Sequence, residues 1–470
     1  MNMLNVEVAV IGAGTAGLAA YRAAIAGGKR AVIIEGGPYG TTCARVGCMP
    51  SKLLIAAAEA AHGPARWKEF GLALEGNVRV DGSAVMERVK RERDRFVGFV
   101  LEGVEAIPAE HRIRGYAKFV DDKTLGVDDH TTIAFERAVI ATGSTPGVPP
   151  FLRTLGNRLI VNDGVFDWDD LPQSVAIFGP GVIGLEIGQA LHRLGVDVVM
   201  FGRSGHVGPF SDPEVRAYAL QTFMQELALD ANADVKSVER VGEQVELRYR
   251  GPNGSDVVKR VDYVIAATGR TPNVRGLELE RTSIALDPRG IPVFNRETMQ
   301  CGQLPIFIAG DVDDYLPLLH EAADEGRIAG ENAARYPQVL AGLRRAPLAI
   351  VFSDPQIAVA GSRFDDLTTG GFVIGAVSFE NQGRSRVMLR NRGLLHVYAD
   401  IATRRIVGAE MIGPDAEHIG HLLAWAIQSE MTVERSLEMP FYHPVIEEGL
   451  RTALRDALAK LNASGLRAAA

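Results

Sequence analysis

"VEVAVIGAGTAGLAAYRAAIAGGKRAVIIE", residues 6–35, reads as strand, glycine turn, helix, strand and a terminal acid. Its first apolar run has the near-continuous hydrophobicity of a strand buried on both faces of a parallel sheet. In the turn, Gly12 permits the tight bend, Gly14 lets a pyrophosphate approach the backbone, and Gly17 lets helix and strand pack closely. The free N–H groups and positive dipole end of the helix face the same place. Glu35, eighteen residues after Gly17, is placed to accept hydrogen bonds from ribose hydroxyls. Glycine is common, so the turn alone is a weak signal. Both strands, the helix and the acid together make it a dinucleotide site.

The pattern recurs in "SVAIFGPGVIGLEIGQALHRLGVDVVMF", with Gly179, Gly181 and Gly184 in the turn. Each copy is followed by a matching segment: "IATGSTP" from Ile140, containing Thr142 and Gly143, and "AATGRTP" from Ala266, containing Gly269. A third strand, "IFIAGD", ends in Gly310–Asp311 before a helical stretch, and is expected to return to the first unit. From about Ala346 four strand-like segments precede two helical ones, the pattern of a separate α+β domain. The predicted fold class is therefore α/β: two Rossmann-like dinucleotide-binding domains, the second inserted in the first, plus a C-terminal α+β domain. The expected boundaries are 1–146 and 271–346 for the first domain, 147–270 for the second and 347–470 for the third. Residues 462–470 read as a frayed tail.

Composition narrows the partners. A net charge of −8 argues against general nucleic-acid binding. The one basic-looking stretch, "MERVKRERDRF", interleaves acids at helical spacing and reads as a solvated helix face. No apolar run is long enough to span a bilayer, and the N-terminal stretch leads straight into a strand without a basic n-region. With three cysteines there is no disulfide framework, and the expected location is the cytoplasm.

Two of those cysteines stand five residues apart in "GTTCARVGCMPSK", residues 40–52. As metal ligands Cys43 and Cys48 lack neighbours, since His62 is the only histidine nearby, and no metal site is expected. Burial as small hydrophobes and a redox pair both remain open. The redox reading has a mechanism: Pro50 suits a first helical turn, which sets Cys48 at a helix N-terminus where the dipole favours thiolate. Lys52 adds a positive charge one turn on.

With these residues in view, the chain resembles the pyridine nucleotide–disulfide oxidoreductases, and among them most the dihydrolipoyl dehydrogenases. The resemblance rests on GAGTAG with Glu35, the "TTCARVGCMPSK" loop, GPGVIGLE, ATGRTPN, IFIAGD and a C-terminal "HPVIEE". It implies FAD in the first domain, NAD in the second, with NADP not excluded, and a homodimer formed through the third. It implies that Cys43 is the interchange thiol and Cys48 the thiol against the flavin. Lys52 would sit by the flavin, paired with Glu186. Thr42, Ala117, Thr142, Gly143, Gly310 and Asp311 match flavin-contact positions. His443 matches the family's base and Glu448 its orienting carboxylate, with the histidine facing the cysteines of the other subunit.

The sequence departs from the pattern at Phe441, Val445, Glu447 and Gln356, and at Gly202, where NAD-specific members carry an acid. Arg203 falls where NADP-dependent relatives carry an arginine, while Gly184 and Gly188 match the NAD-type fingerprint. On balance the sequence leans to NAD. Cys301 lies away from every motif and reads as a plain thiol. The expected activity is dithiol oxidation, dihydrolipoyl first, linked to NAD through FAD and the cysteine pair. The alternatives are an NAD(P)H-dependent reductase of another low-molecular-weight or protein disulfide, and a flavin transhydrogenase or diaphorase.

Overall fold

The computed structural model describes residues 2–468 except Asn77 and Pro252. The chain divides into two compact units: residues 1–50, 89–147 and 269–344 form the first, and residues 51–88, 148–268 and 345–470 the second.

The first unit is built on the strand Asn2–Ile11, whose last four residues are all buried. It pairs in parallel with Ala31–Glu35 on one side and Thr131–Ile140 on the other. Ile306–Ile308 returns to pair in parallel with Thr131–Ile140, and Ala117–Asp121 and Thr124–Val127 close the sheet as an antiparallel ribbon. The helix Thr15–Ala26 is rich in alanine, a strong helix former. Its small side chains also let the helix Leu319–Arg335 approach at backbone contact. A Cβ built on Gly326 would lie 2.1 Å from the Ala16 carbonyl oxygen, and one on Gly330 would lie 2.3 Å from that of Ala20.

In the second unit the repeated motif forms a five-stranded parallel sheet in the order Ala228–Asp230, Asp197–Phe201, Ser174–Phe178, Tyr263–Ala266, Leu159–Val161. An antiparallel meander, Val235–Val241, Gln244–Arg250 and Asp256–Val261, shares an apolar core with it. The C-terminal part is a five-stranded antiparallel sheet in the order Leu348–Val351, Gln356–Gly361, Ile406–Gly413, Leu394–Asp400, Phe372–Ser378. The helices Ala416–Gln428 and Glu448–Ala468 cover it through a core that includes Ile419, Leu423, Leu450 and Leu454. The tail read as frayed is instead helical as far as Ala468, continuing a helix anchored by buried Ala453, Ala457 and Leu461; Ala469 and Ala470 lie outside the described residues. Among the described residues no helix is long and apolar enough to cross a membrane.

Candidate functional site

The two glycine turns have one geometry. Gly12 has φ 106° and Gly179 φ 104°, both in the region that favours glycine. A Cβ on either would lie 2.3 Å from a carbonyl oxygen, that of Ala141 or Ala267. A Cβ on Gly17 would lie 1.8 Å from the Gly12 oxygen, and one on Gly184 would lie 1.9 Å from the Gly179 oxygen. At Gly14 and Gly181, by contrast, a Cβ would meet nothing within 4 Å. The outer and inner glycines are thus fixed by packing, and the middle one fronts open space at a helix N-terminus. That is the shape a pyrophosphate needs, so both turns fit a dinucleotide.

Several of the remaining residues expected to contact the cofactor lie in the first unit. The Ala13 and Gly37 amides each donate to Glu35 at 2.7 Å, which holds its carboxylate at the turn with lone pairs to spare. The Tyr116 ring packs on Gly36, so Ala117 begins its strand beside that acid. Thr142 Oγ1 donates to the Asn273 carbonyl (2.8 Å), and Gly143 takes φ 68°. Ser144 Oγ donates to Asp311 (2.7 Å) and accepts from Arg270 Nε (2.7 Å), tying "ATGS" to "GD". Gly269, φ 101°, precedes that arginine.

Sequence reasoning missed Glu325. It is 1% exposed; its Oε2 accepts the Gly310 amide (2.9 Å) and its Oε1 accepts Arg344 Nη2 (2.9 Å). Glu325 therefore fixes the Gly310–Asp311 turn from beneath. Its sequence signal is weak, because it is one of several acids on a charged helix, with Glu321 and Asp324 also buried. Neighbouring Asp313, also buried, has its carboxyl pushed up to about 8 by desolvation and then by the charge of Glu325.

The cysteines sit on two consecutive helical pieces. Thr42–Val46 starts from Thr41, whose Oγ1 accepts the Ala44 amide, and Cys48–His62 follows Gly47. A Cβ on Gly47 would lie 3.3 Å from Cys43 Cα, so the residue before Cys48 stands one helical turn from Cys43. Cys43 is half-buried, and Cys48, the first residue of its helix, is exposed. Thr42 opens the first piece and is exposed. Cys301 differs: it is 1% exposed, and burial pushes its thiol up to about 12, which leaves it protonated and unreactive. Among the described residues no group of three His, Cys, Asp or Glu is arranged to hold a metal ion.

The second unit brings together Lys52 and Glu186, which are 134 residues apart. Lys52 Nζ donates to both carboxylate oxygens, at 2.9 and 2.7 Å. The Phe352 amide donates to Glu186 at 2.9 Å, and the ammonium lies 4.7 Å from the Phe352 ring centroid. Glu186 is 5% exposed and would be costly to bury without these partners. On the same helix Gln189 binds Asp354, and Arg193 is buried against Glu226 (2.5 Å) and Asp354 (3.1 Å).

Burial raises both of those acids, but Arg193 outweighs it and holds them below the usual carboxylate range. Depressed carboxylates stabilise the fold above their unfolded values, near pH 4, and lose that contribution as pH falls through the folded values. Arg193→Met would leave the part-buried carboxylates of Glu226 and Asp354 without their guanidinium partner. It is expected to cost about 3–5 kcal/mol at pH 7 and clearly less near pH 4, measured by urea unfolding at the two pH values.

His443 and Glu448 also meet: His443 Nδ1 lies 3.0 Å from Glu448 Oε2, and Arg451 holds the other carboxylate oxygen at 3.0 Å. Desolvation raises Glu448, but the His443 hydrogen bond, the Val445 amide and the charges of His443 and Arg451 together leave it below its ordinary range. His443 is 81% exposed in the single chain. Close by in sequence, Phe441, Tyr442, Val445 and Glu447 line an apolar cavity of about 460 Å3 with Trp425 and Met431.

Comparison with known proteins matches residues 6–326 to the pyridine nucleotide-disulphide oxidoreductase model and residues 348–454 to the dimerisation domain of the same family. The chain is 30% identical to a dihydrolipoyl dehydrogenase from Geobacillus stearothermophilus over 97% of each chain. It is 29% identical to a mercuric reductase from Shigella flexneri, over 95% of this chain and 80% of that one. Among solved structures, LpdA from Mycobacterium tuberculosis superposes with a TM-score of 0.81 at 24% identity, covering 96% of this chain and 99% of that one. The HOCl-induced flavoprotein disulfide reductase RclA from Escherichia coli follows at 0.79 and 23%, over 98% and 100%. The fold, the two fitted dinucleotide turns and these matches place the chain in the FAD-dependent pyridine nucleotide–disulphide oxidoreductase family.

Proposed function

We propose that this protein oxidises a small or protein-bound dithiol, a dihydrolipoyl group first among candidates, and delivers the electron pair to a nicotinamide coenzyme. The observation that supports the reading is that Cys43 and Cys48 lie on consecutive helical pieces joined at Gly47, with Cys48 at the start of the second. His443 takes a proton from one substrate thiol, and the resulting thiolate attacks Cys43 of the oxidised pair. Cys48 leaves as a thiolate at its helix N-terminus, where the dipole stabilises it. The second substrate thiol then displaces Cys43, closing the substrate disulfide and leaving two electrons on the cysteine pair. Glu448 orients His443 and supports the positive charge it acquires. Lys52, held by Glu186, is the positive charge that the resemblance assigns to the flavin. Bound FAD supplies the two-electron chemistry that links the thiols to the nicotinamide. The family's dimerisation domain supports a homodimer, in which the resemblance assigns His443 and the cysteines to different subunits.

Run backwards, the same groups reduce a disulfide. Phe441, Val445 and Glu447, unlike the dihydrolipoyl dehydrogenase pattern, favour this second reading, with another low-molecular-weight or protein disulfide as substrate. Steady-state kinetics with dihydrolipoamide, glutathione disulfide and a protein disulfide separate the two. The first reading expects kcat/KM for dihydrolipoamide at least about a hundredfold above the reverse reactions of the others, a difference of about 2.7 kcal/mol. Comparable or higher values with another disulfide would transfer the assignment to the second reading.

A further inference from the structure

Resting on the assignment of the flavin to the first unit, we propose that Asp313 and Glu325 share one buried proton, which locks the Gly310–Asp311 turn in the form that retains FAD. Asp313 is then a positioning residue for the cofactor, and alkali loosens the flavin. The resemblance assigns this turn to the flavin, and the structure packs it on the first dinucleotide helix. Gly310 takes φ 78°, and a Cβ there would lie 2.9 Å from the Ala16 Cβ. Glu325 accepts the Gly310 amide (2.9 Å), and Asp313 N donates to the Gly310 oxygen (2.9 Å). The two acids thus hold Gly310 by both of its backbone polar groups.

Donors and acceptors balance here only if the pair holds a proton. Asp313 is 6% exposed, and its carboxyl lies within hydrogen-bonding reach of Glu325. Its Oδ1 accepts the Tyr315 amide (2.9 Å), whereas its Oδ2 is buried and meets no donor among the described residues. Two ionised carboxylates are acceptors only, and they repel. Both oxygens of Glu325 already accept, from Gly310 and from Arg344, so the proton belongs on Asp313, which donates to Glu325. Burial first, and then the charge of Glu325, keep that carboxyl protonated up to about pH 8. The surrounding charges supply no second cation. Arg344 divides its guanidinium between Glu325 and Glu321 (3.0 Å), and His320 and Asp324 lie on the same helix. Along a cleft of about 240 Å3 that Asp313 also lines, Arg289 is bound to Asp287 and Asp314. Arg296 lies 3.9 Å from the Tyr315 ring centroid. The sign of the pH effect follows. A loosened turn, with an ordinary carboxyl near pH 4, gives up a proton that the formed turn keeps. Rising pH therefore favours the loosened turn, by up to about tenfold per pH unit. The gain ends near pH 8, where the formed turn loses the proton as well.

Flavin release from the purified holoenzyme, followed by flavin fluorescence at about pH 6.5 and about pH 8.5, tests this without turnover. The expected result is release at least about tenfold faster at the higher pH. Asp313→Asn keeps a donor toward Glu325 but no titratable proton. Its release should stay within about twofold of the wild-type rate at the lower pH and should not rise at the higher one. A second measurement needs no variant: the infrared difference spectrum of the wild-type holoenzyme between the two pH values should show the loss of a carboxylic-acid carbonyl band. Release that ignores pH, a pH dependence that survives Asp313→Asn, flavin lost from the variant already at the lower pH, or a missing carboxylic-acid band would overturn the proposal. Purified protein that carries no flavin and takes none up would overturn it together with the flavin assignment. The expected pH dependence in a protein that turns over no dithiol would uphold it and sink the dithiol reading alone.

Discussion

Cys43→Ser is expected to abolish dithiol-linked turnover, a loss on the order of 10^3-fold or more, while NAD(P)H-linked reduction of an artificial acceptor continues at near wild-type rate. A serine hydroxyl cannot form or receive the disulfide, so the substrate thiolate has no sulfur to attack and the pair cannot carry electrons. The retained acceptor activity shows that the protein is folded and its flavin loaded. Parallel assays of both reactions on one preparation make the comparison. A diaphorase or transhydrogenase, which uses no dithiol, would show both activities untouched. The neighbouring geometry supports the role of the pair. Cys43 is half-buried beside Gly47, Cys48 begins a helix, and the third cysteine is held unreactive in the core.

His443→Gln is expected to slow dithiol turnover by about 10^2- to 10^4-fold, the range in which a positioned general base contributes. Acceptor reduction should again be spared. Glutamine keeps the size and a hydrogen-bonding group near Glu448 but takes up no proton. The loss should shrink at alkaline pH, where the substrate thiol ionises unaided. A pH–rate profile of the two proteins with dihydrolipoamide measures this. A substitution that changed both reactions equally would assign His443 to folding or assembly.

Much of this was legible in the sequence because it depends on local chemistry. The glycine spacing of both turns, and the buried runs beside them, follow from what a tight strand–helix turn demands. The Lys52–Glu186 and His443–Glu448 pairs were named from the family resemblance, and the structure brings each pair within hydrogen-bond distance. What escaped depends on packing between distant segments. Glu325 beneath Gly310 looks in sequence like one more charge on an acidic helix, and only burial against Arg344 reveals its work. Gly202 reads as a missing acid, and its true constraint is the Ala231 backbone. The C-terminal stretch read as loose because its own composition is weak, yet it extends a helix held by a core upstream.

The central claim concerns two sulfurs that exchange an electron pair, and a thiol count addresses it directly. The chain has three cysteines. Under denaturing conditions the oxidised holoenzyme is expected to expose one titratable thiol, that of Cys301. After anaerobic reduction with excess dithiol and removal of the reagent it should expose three. Three thiols both before and after reduction would contradict the account.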